Sequence, residues 1–426
     1  MNRPVEKLAK DFFKDLMEEL PHLATVMGIH QYDEEMPQGT PESVEALKKR
    51  RNRFIEELES VTDEQLGFEE RIDLKALLNV MKLQKFEEEK HGRDYSHPTA
   101  GMIVSNALYS LFVKEFAPLE VRLDKISRRM EKIPSYLENT KKVLTDPVQL
   151  WVELGADEVK NMVGFINTIL KVGKEEQIAQ RILNRLNDNG SKCINALQDY
   201  SRWLIEDVLP KSREDFAMKP EDFDRLMEMR KLGMNTEELL EFGEEQLEIA
   251  RENQKRIASI IAPGKSVEEA KKIVRQNHPD TFEKVLEKTI QSCNEARQFV
   301  IDNDFATLPE NEELRVIETP SFARSFIPFG AYMPPGKFDK KQVGYYWMSR
   351  PLEKLGQKME IHNFASILNT SVHEAYPGHH LQMVCENNNQ AYSRLLTSSI
   401  EFVEGWAHYC EEKVAQLGFA DDPMIM

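Results

Sequence analysis

The chain has 426 residues, of which 41% are hydrophobic and 30% are charged, and this balance excludes an intrinsically disordered protein. The formal net charge of −17 excludes a broad contact with nucleic acid, because such contacts need a face rich in lysine and arginine. The N-terminal residues alternate charged with apolar side chains, unlike the apolar stretch of a signal peptide. No segment has the roughly 20 apolar residues of a membrane span. We therefore expect a cytoplasmic protein that binds neither nucleic acid nor membranes.

The first 307 residues have the pattern of a large bundle of amphipathic helices. Several segments begin with a short polar residue followed three residues later by glutamate, which is typical of a helix N-terminus. These pairs are Asn235 with Glu238, Ser266 with Glu269, and Asp280 with Glu283. Apolar residues then recur at spacings of three and four, and prolines such as Pro134 predict helix ends. The pattern predicts a mainly α fold with a helical bundle over residues 1–307.

The pattern changes after Leu308. Residues 314–317 and 344–348 are short runs of β-branched or aromatic side chains close to proline and glycine, which predicts strands. Two helices are expected to follow, from about residue 361 to 385 and from about residue 391 to 417. Residues 308–426 are therefore predicted to form a small β-hairpin or sheet followed by two helices, in one continuous fold with the bundle.

Half of the histidines lie close together within residues 308–426. Five of the ten fall between residues 362 and 408, and residues 373–380 read His-Glu-Ala-Tyr-Pro-Gly-His-His. A His-Glu pair followed within two turns by another histidine is the pattern of zincin active sites, in which imidazole nitrogens bind zinc and the adjacent glutamate is the general base. The pattern predicts that His373 binds Zn²⁺ and that Glu374 activates a water molecule.

The spacing does not decide which histidine is the second metal ligand. In an ideal helix His379 lies about 600° around the axis from His373, well off its face, whereas His380 lies about 700° around and nearly back on it. Ideal geometry therefore favours His380. Pro377 and Gly378 forbid ideal geometry, because proline lacks a backbone donor and glycine tolerates distorted dihedral angles, so a bulged helix could present either histidine.

A third ligand is expected from the next helix. Glu401, Glu404 and His408 are spaced so that all three lie on one face. Two histidines and one glutamate form a catalytic zinc site that keeps its fourth position open for water. The expected fold is thus a large helical zincin-like bundle, and the expected chemistry is hydrolysis with no covalent intermediate.

Residues 373–382 together with Glu404-Gly405-Trp406-Ala407 closely resemble the signature pair of the bacterial domain-of-unknown-function 885 family. That family is similar in fold to the carboxypeptidase Taq group of helical zinc metallopeptidases. The related peptidases carry a Gly-His pair that resembles Gly378-His379, so the resemblance implies His379 as the second ligand. It also implies Glu404 as the third ligand.

The resemblance implies one further role and shows two departures. Tyr332 matches a family segment, which implies that it lines the substrate cleft. His380 and His408 are expected from their positions to contact substrate or support the ligands, and the family usually has an apolar residue in place of His408. Family members usually continue well beyond Glu404, so a further C-terminal segment or a second chain is expected to complete the site.

Three functions remain open on the sequence. The first is a carboxypeptidase-like or oligopeptidase-like zinc peptidase acting on a peptide. The second is a zinc hydrolase of a different amide or ester, because the same site does not define the acyl partner. The third is a truncated relative that has lost activity.

Overall fold

A computed structural model of the chain describes residues 4–62, 64, 66–320, 322–324, 327–352 and 356–419. The mainly helical fold and the small sheet predicted from the sequence are both confirmed. Among the described residues, no helix is both long and apolar enough to cross a membrane. Whether the chain divides at residue 307 stays a prediction.

Thirteen helices described in residues 4–302 precede the sheet. They are α1 (Pro4–Glu19), α2 (Pro21–Val26), α3 (Pro41–Glu59), α4 (Phe68–His91), α5 (Arg93–Ser96), α6 (Ala100–Val113), α7 (Leu119–Thr140), α8 (Gln149–Glu175), α9 (Gln180–Trp203), α10 (Pro220–Arg230), α11 (Thr236–Ile261), α12 (Val267–Gln276) and α13 (Phe282–Asp302). Helices α6 to α9 pack together and supply most of the largest hydrophobic core.

The sheet has three strands: β1 (Glu312–Glu318), β2 (Gly330–Met333) and β3 (Gln342–Met348). β3 lies in the middle, parallel to β1 and antiparallel to β2. Successive side chains of a strand point to opposite faces. Tyr345 and Trp347 accordingly join the core of α6 to α9, whereas Tyr346 and Met348 join a second core with the histidine-bearing helices. The central strand thus fixes these helices to the bundle.

The sheet is followed by α14 (Phe364–Glu374), α15 (His379–Asn387), α16 (Tyr392–Leu395) and α17 (Ile400–Gln416). The predictions of one helix over 361–385 and one over 391–417 are therefore wrong. Pro377 and Gly378 separate α14 from α15, because proline cannot donate to the preceding turn. α17 has its own start, where the Ser399 hydroxyl accepts from the amide of Phe402 at 3.4 Å.

The capping residues are mostly as predicted. Asn235 and Ser266 begin α11 and α12 with reciprocal hydrogen bonds to the third helical residue, so both predictions are confirmed. For α13 the prediction is wrong by one residue, because Thr281 and not Asp280 caps the helix. Pro134 does not end a helix but lies inside α7, where Ile133, Tyr136 and Leu137 around it are buried. Burial of these side chains offsets the cost of proline in a helix.

Helices α6 and α8 enclose a carboxyl group that has no cation beside it in the part of the chain that the structure describes. Glu158 of α8 is 8% exposed, and its hydrogen bond in the described structure comes from the Ser105 hydroxyl at 3.3 Å. The two helices approach so closely that a Cβ atom on Gly101 would lie 2.8 Å from a carboxyl oxygen of Glu158. Burial raises the pKa of Glu158 to about 7.

We therefore predict that Glu158→Gln stabilises the protein at pH 8 but not at pH 4. Folding raises the pKa of such a carboxyl group. The group therefore lowers the free energy of unfolding as the pH rises from its pKa in the unfolded state towards its pKa in the folded state. The gain in unfolding free energy above pH 7 is expected to be at most about 3 kcal/mol. Urea unfolding at both pH values measures it. The control is Asp157→Asn, an exposed carboxylate on the same helix; an equal gain in the Glu158 variant at both pH values contradicts the prediction.

Candidate metal centre

The chain reverses sharply between α14 and α15. Ala375 ends α14 with φ −114° and ψ −93°, and the Tyr376–Pro377 peptide bond is cis. A Cβ atom on Gly378 would lie 1.8 Å from the carbonyl oxygen of His373, so only glycine fits there. The amide of Gly378 donates to the carbonyl of Val372 at 3.0 Å. This close approach brings the start of α15 against the end of α14.

α17 packs against the same break. The Trp406 indole Nε1 donates to the carbonyl oxygen of Pro377 at 2.9 Å. Because Glu404 lies on the same helix near Trp406, this hydrogen bond sets the height of Glu404 relative to the break.

The three predicted metal ligands come together at this place. The Nε2 atoms of His373 and His379 lie 3.4 and 3.6 Å from the Oε2 atom of Glu404. The two imidazole rings are 4.7 Å apart and nearly perpendicular, at 84°. One ligand atom from each residue lies within 4.8 Å of the others. These residues come from α14, α15 and α17, respectively.

The distances from the two histidine nitrogens to the Glu404 oxygen fit a shared metal ion better than direct hydrogen bonds. Two ligand atoms bound to one tetrahedral zinc ion are about 3.4 Å apart, because each zinc–ligand bond is about 2.0–2.1 Å long. A good hydrogen bond from nitrogen to oxygen is shorter, at about 2.7–3.2 Å. Burial lowers the pKa of His379, which favours the neutral ring that a metal needs. Among the described residues, no partner occupies the buried Nδ1 atom of His379.

Glu411 orients His373, and our reading of the sequence missed it. Its Oε1 atom lies 2.6 Å from Nδ1 of His373, and Asn369 donates to its Oε2 atom at 2.7 Å. A carboxylate at Nδ1 places the ring proton there and leaves the lone pair of Nε2 for a metal. Burial disfavours the charged form of His373, but the hydrogen bond with Glu411 holds its pKa above the ordinary value. The sequence does contain a signal for Glu411, because the helical face that carries Glu404 and His408 continues to Glu411.

His380 points away from the three ligand atoms. Its ring is fully buried, with Nδ1 2.8 Å from the Tyr332 hydroxyl and Nε2 2.9 Å from Oε2 of Glu312. Both ring nitrogens are therefore occupied by protein groups. The structure brings His379 and not His380 to His373 and Glu404.

Glu312 is the centre of a buried polar network beneath the break. It accepts hydrogen bonds from the Tyr376 hydroxyl, from His380 and from Arg297, whose Nε lies 2.9 Å away. Burial opposes the charge, but these donors lower the pKa of Glu312 to about 2. Glu312 thereby connects β1 to Tyr376 and His380, which lie on either side of Pro377 and Gly378. No local sequence pattern predicts it, because Tyr376 and His380 lie 64 and 68 residues further along the chain.

Glu374 lies at the end of α14, next to His373 in the chain. Burial raises its pKa to about 7, although the backbone amide of Tyr332 donates a hydrogen bond that favours the charged form. Glu374 therefore differs from Glu312, to which three side chains donate. A carboxylate with few donors is well suited to accept a proton.

The remaining predicted residues take supporting positions. Tyr332 is 8% exposed, and its hydroxyl contacts His380, so its side chain supports the break. His408 is exposed, with Nδ1 3.6 Å from Oε1 of Glu411 and its ring 5.5 Å from that of His373. The structure thus leaves one side of the group open, where the Glu404 side chain is 47% exposed.

We predict that Glu312→Gln destabilises the protein. Removing one partner of a fully buried ion pair costs about 3–5 kcal/mol, and we expect a smaller cost here because the remaining cation, Arg297, is 40% exposed. Glu312 is the acceptor for Arg297 and for two further donors, so the thermal midpoint should fall by several degrees. The matched control is Glu313→Gln, at the next and exposed position of β1. A Glu312 variant as stable as this control would show that the network does not hold the break.

Two solved structures share the fold. One is a candidate lipoprotein of unknown function from Shewanella oneidensis, with 19% identity and a TM-score of 0.72. The other is a candidate lipoprotein from Colwellia psychrerythraea, with 15% identity and a TM-score of 0.78. Each match covers 99% of this chain and 79% of the other. At these identities the likeness shows the fold alone.

No curated protein matches the sequence significantly. A family model described as "bacterial protein of unknown function (DUF885)" matches residues 21–426. The match covers nearly the whole chain, including His373, Glu374, His379 and Glu404, and the chain belongs to the DUF885 family.

Proposed function

We propose that the protein is a zinc-dependent hydrolase whose metal is held by His373, His379 and Glu404. The observation that carries the proposal is the spacing of the three ligand atoms, with both histidine nitrogens 3.4–3.6 Å from one carboxylate oxygen. Two imidazoles and one carboxylate suit zinc and leave a coordination position for water or substrate. Glu411 supports this assignment, because it turns Nε2 of His373 towards the other two ligands.

Each side chain then has a chemical role. Zinc, when bound, supplies a Lewis acid that polarises a carbonyl group and lowers the pKa of water. Glu374 accepts the proton of the attacking water and returns it to the leaving group. Glu374 can do so because it is next to His373 in the chain and because burial raises its pKa to about 7, although the backbone amide of Tyr332 donates a hydrogen bond to it.

A peptide is the substrate that the surroundings of Glu374 favour. β2 is an edge strand, and its Tyr332 amide donates towards the Glu374 carboxylate. An extended peptide can pair with an exposed strand edge through its main chain. A peptide that pairs with β2 would pass beside Glu374. We therefore propose a peptidase with a carboxypeptidase-like or oligopeptidase-like action.

A non-peptide amide or ester is the second candidate substrate. The open side of the site favours it, because the Glu404 side chain is nearly half exposed. A further segment or a second chain that covers Glu404 would narrow the choice of substrate. An inactive relative remains the third proposal, and the measurements below distinguish all three. The cytoplasmic location also stays a prediction, which cell fractionation tests.

The first prediction of this proposal concerns metal content. The purified chain should hold close to one zinc ion, and His379→Ala and Glu404→Ala should each lose most of it, because each removes one of three ligands. Plasma mass spectrometry after dialysis measures the metal. The matched control is Glu401→Ala. Glu401 lies one turn before Glu404, and the Glu401 carboxylate pairs with Arg230 at 3.0 Å. Equal zinc in all four proteins would exclude this ligand set.

The second prediction separates binding from catalysis. Glu374→Gln should keep its zinc but hydrolyse substrate roughly 10²–10⁴-fold more slowly, because the amide cannot accept the proton. The measurement compares the variant with the wild type on short peptides and on matched amides and esters. Cleavage of peptides alone supports a peptidase, and cleavage of amides or esters alone supports the second candidate. A zinc-loaded wild type that cleaves none of them supports the inactive relative.

A further inference from the structure

A large cavity lies between helices in the N-terminal part of the chain. Its volume is about 860 Å³, which is within the usual range for small-molecule sites of about 300–1,000 Å³. It is lined by parts of α3, α4, α5, α6 and α8 and by Arg213 and Phe216. None of its lining residues lies beyond Phe216, so the metal centre and this cavity share no residue.

One wall of the cavity consists of aromatic side chains. Trp151 stacks on His97 with the rings 4.6 Å apart and 20° from parallel. Phe216 meets the edge of Trp151 at 5.9 Å and is 53% exposed. Burial lowers the pKa of His97 to about 4, so its ring is neutral at physiological pH. This wall offers an apolar surface with uncovered aromatic area to a bound molecule.

Most charged groups of the lining neutralise each other. Lys48 and Arg51 both pair with Glu88, with Lys48 Nζ 3.3 Å from the carboxylate, and the Asp94 carboxyl group shares a hydrogen bond with Glu88 near these two cations. Arg213 pairs with Asp146 at 3.1 Å. Glu87 pairs with Arg230 at 3.2 Å. These side chains carry little net charge into the cavity.

Two lining groups of opposite charge have no such partner. Arg93 is exposed to solvent, and within the described ranges its side chain makes neither an ion pair nor a hydrogen bond. Glu158 is 8% exposed, with the Ser105 hydroxyl at 3.3 Å and no cation beside it in the described structure. A buried carboxyl group of this kind is costly unless something compensates its charge. A ligand with an ammonium group would supply that compensation.

We propose that this cavity binds a zwitterionic α-amino acid with an aromatic side chain. Glu158 takes the ammonium group, the guanidinium of Arg93 takes the carboxylate, and the wall of Trp151 and Phe216 takes the ring. Arginine suits a carboxylate because its planar donors match the two oxygens. A ligand with only one of the two charges would leave the other protein group unpaired. The site therefore selects the zwitterion over a simple aromatic amine or acid.

Isothermal titration of the zinc-loaded full chain with L-phenylalanine tests the site. We expect saturable binding at one site, weakened roughly tenfold or more by Glu158→Gln and by Arg93→Gln, because each removes one charged contact. Phenethylamine and 3-phenylpropionate should each bind roughly tenfold or more weakly for the same reason. The matched controls are Asp157→Asn and Arg181→Gln, which alter exposed groups that do not line the cavity.

One more variant separates this cavity from the metal centre. Glu404→Ala should bind L-phenylalanine like the wild type, whereas loss of binding in that variant would place the amino acid at the metal centre and overturn the proposal. Three other results would also overturn it: no saturable binding at millimolar concentrations, unchanged affinity in the Glu158 and Arg93 variants, or equal affinity for the two analogues. Thermal unfolding of each variant shows whether it is folded.

Discussion

The candidate site depends on the contact between Gly378 and the carbonyl group of His373. A side chain at position 378 cannot exist there, because its first carbon would lie 1.8 Å from that oxygen. The contact turns two histidines that are six residues apart into neighbours whose rings are 4.7 Å apart. On a regular helix these rings would lie on different faces. The break is thus the element that makes a metal centre out of this sequence.

Two distant elements hold the break. Glu312 accepts from Tyr376 and His380, and β1 carries Glu312 next to the central strand of the sheet. Trp406 donates to the Pro377 carbonyl from α17, the helix that carries Glu404. His379 and Glu404 are therefore both positioned by contacts at the break. A shift of α15 or α17 would change the positions of both ligands.

The sequence predicts the parts of this structure that depend on local patterns. The helical class, the strands around residues 314–317 and 344–348 and the helix caps at Asn235 and Ser266 follow from local pattern and are confirmed. The path of the chain through Pro377 and Gly378 does not follow, because ideal helical geometry favours His380. Glu312 could not be found either, since two of its partners are distant in sequence. Glu411 could have been found by extending the helical face that contains Glu404.

Three glutamates show how surroundings separate the roles of one side chain. Glu312 is surrounded by three side-chain donors, so it stays ionised and serves as a fixed anchor for the break. Glu374 is also buried, but its one backbone donor leaves its charged form poorly compensated, and its pKa rises to about 7. Glu404 is nearly half exposed and faces two imidazole nitrogens. Burial with several donors favours an anchor, burial with few donors favours a group that exchanges protons, and exposure beside two rings favours a metal ligand. Because each environment is made by a different set of secondary-structure elements, the division of roles depends on the fold and not on the motif alone.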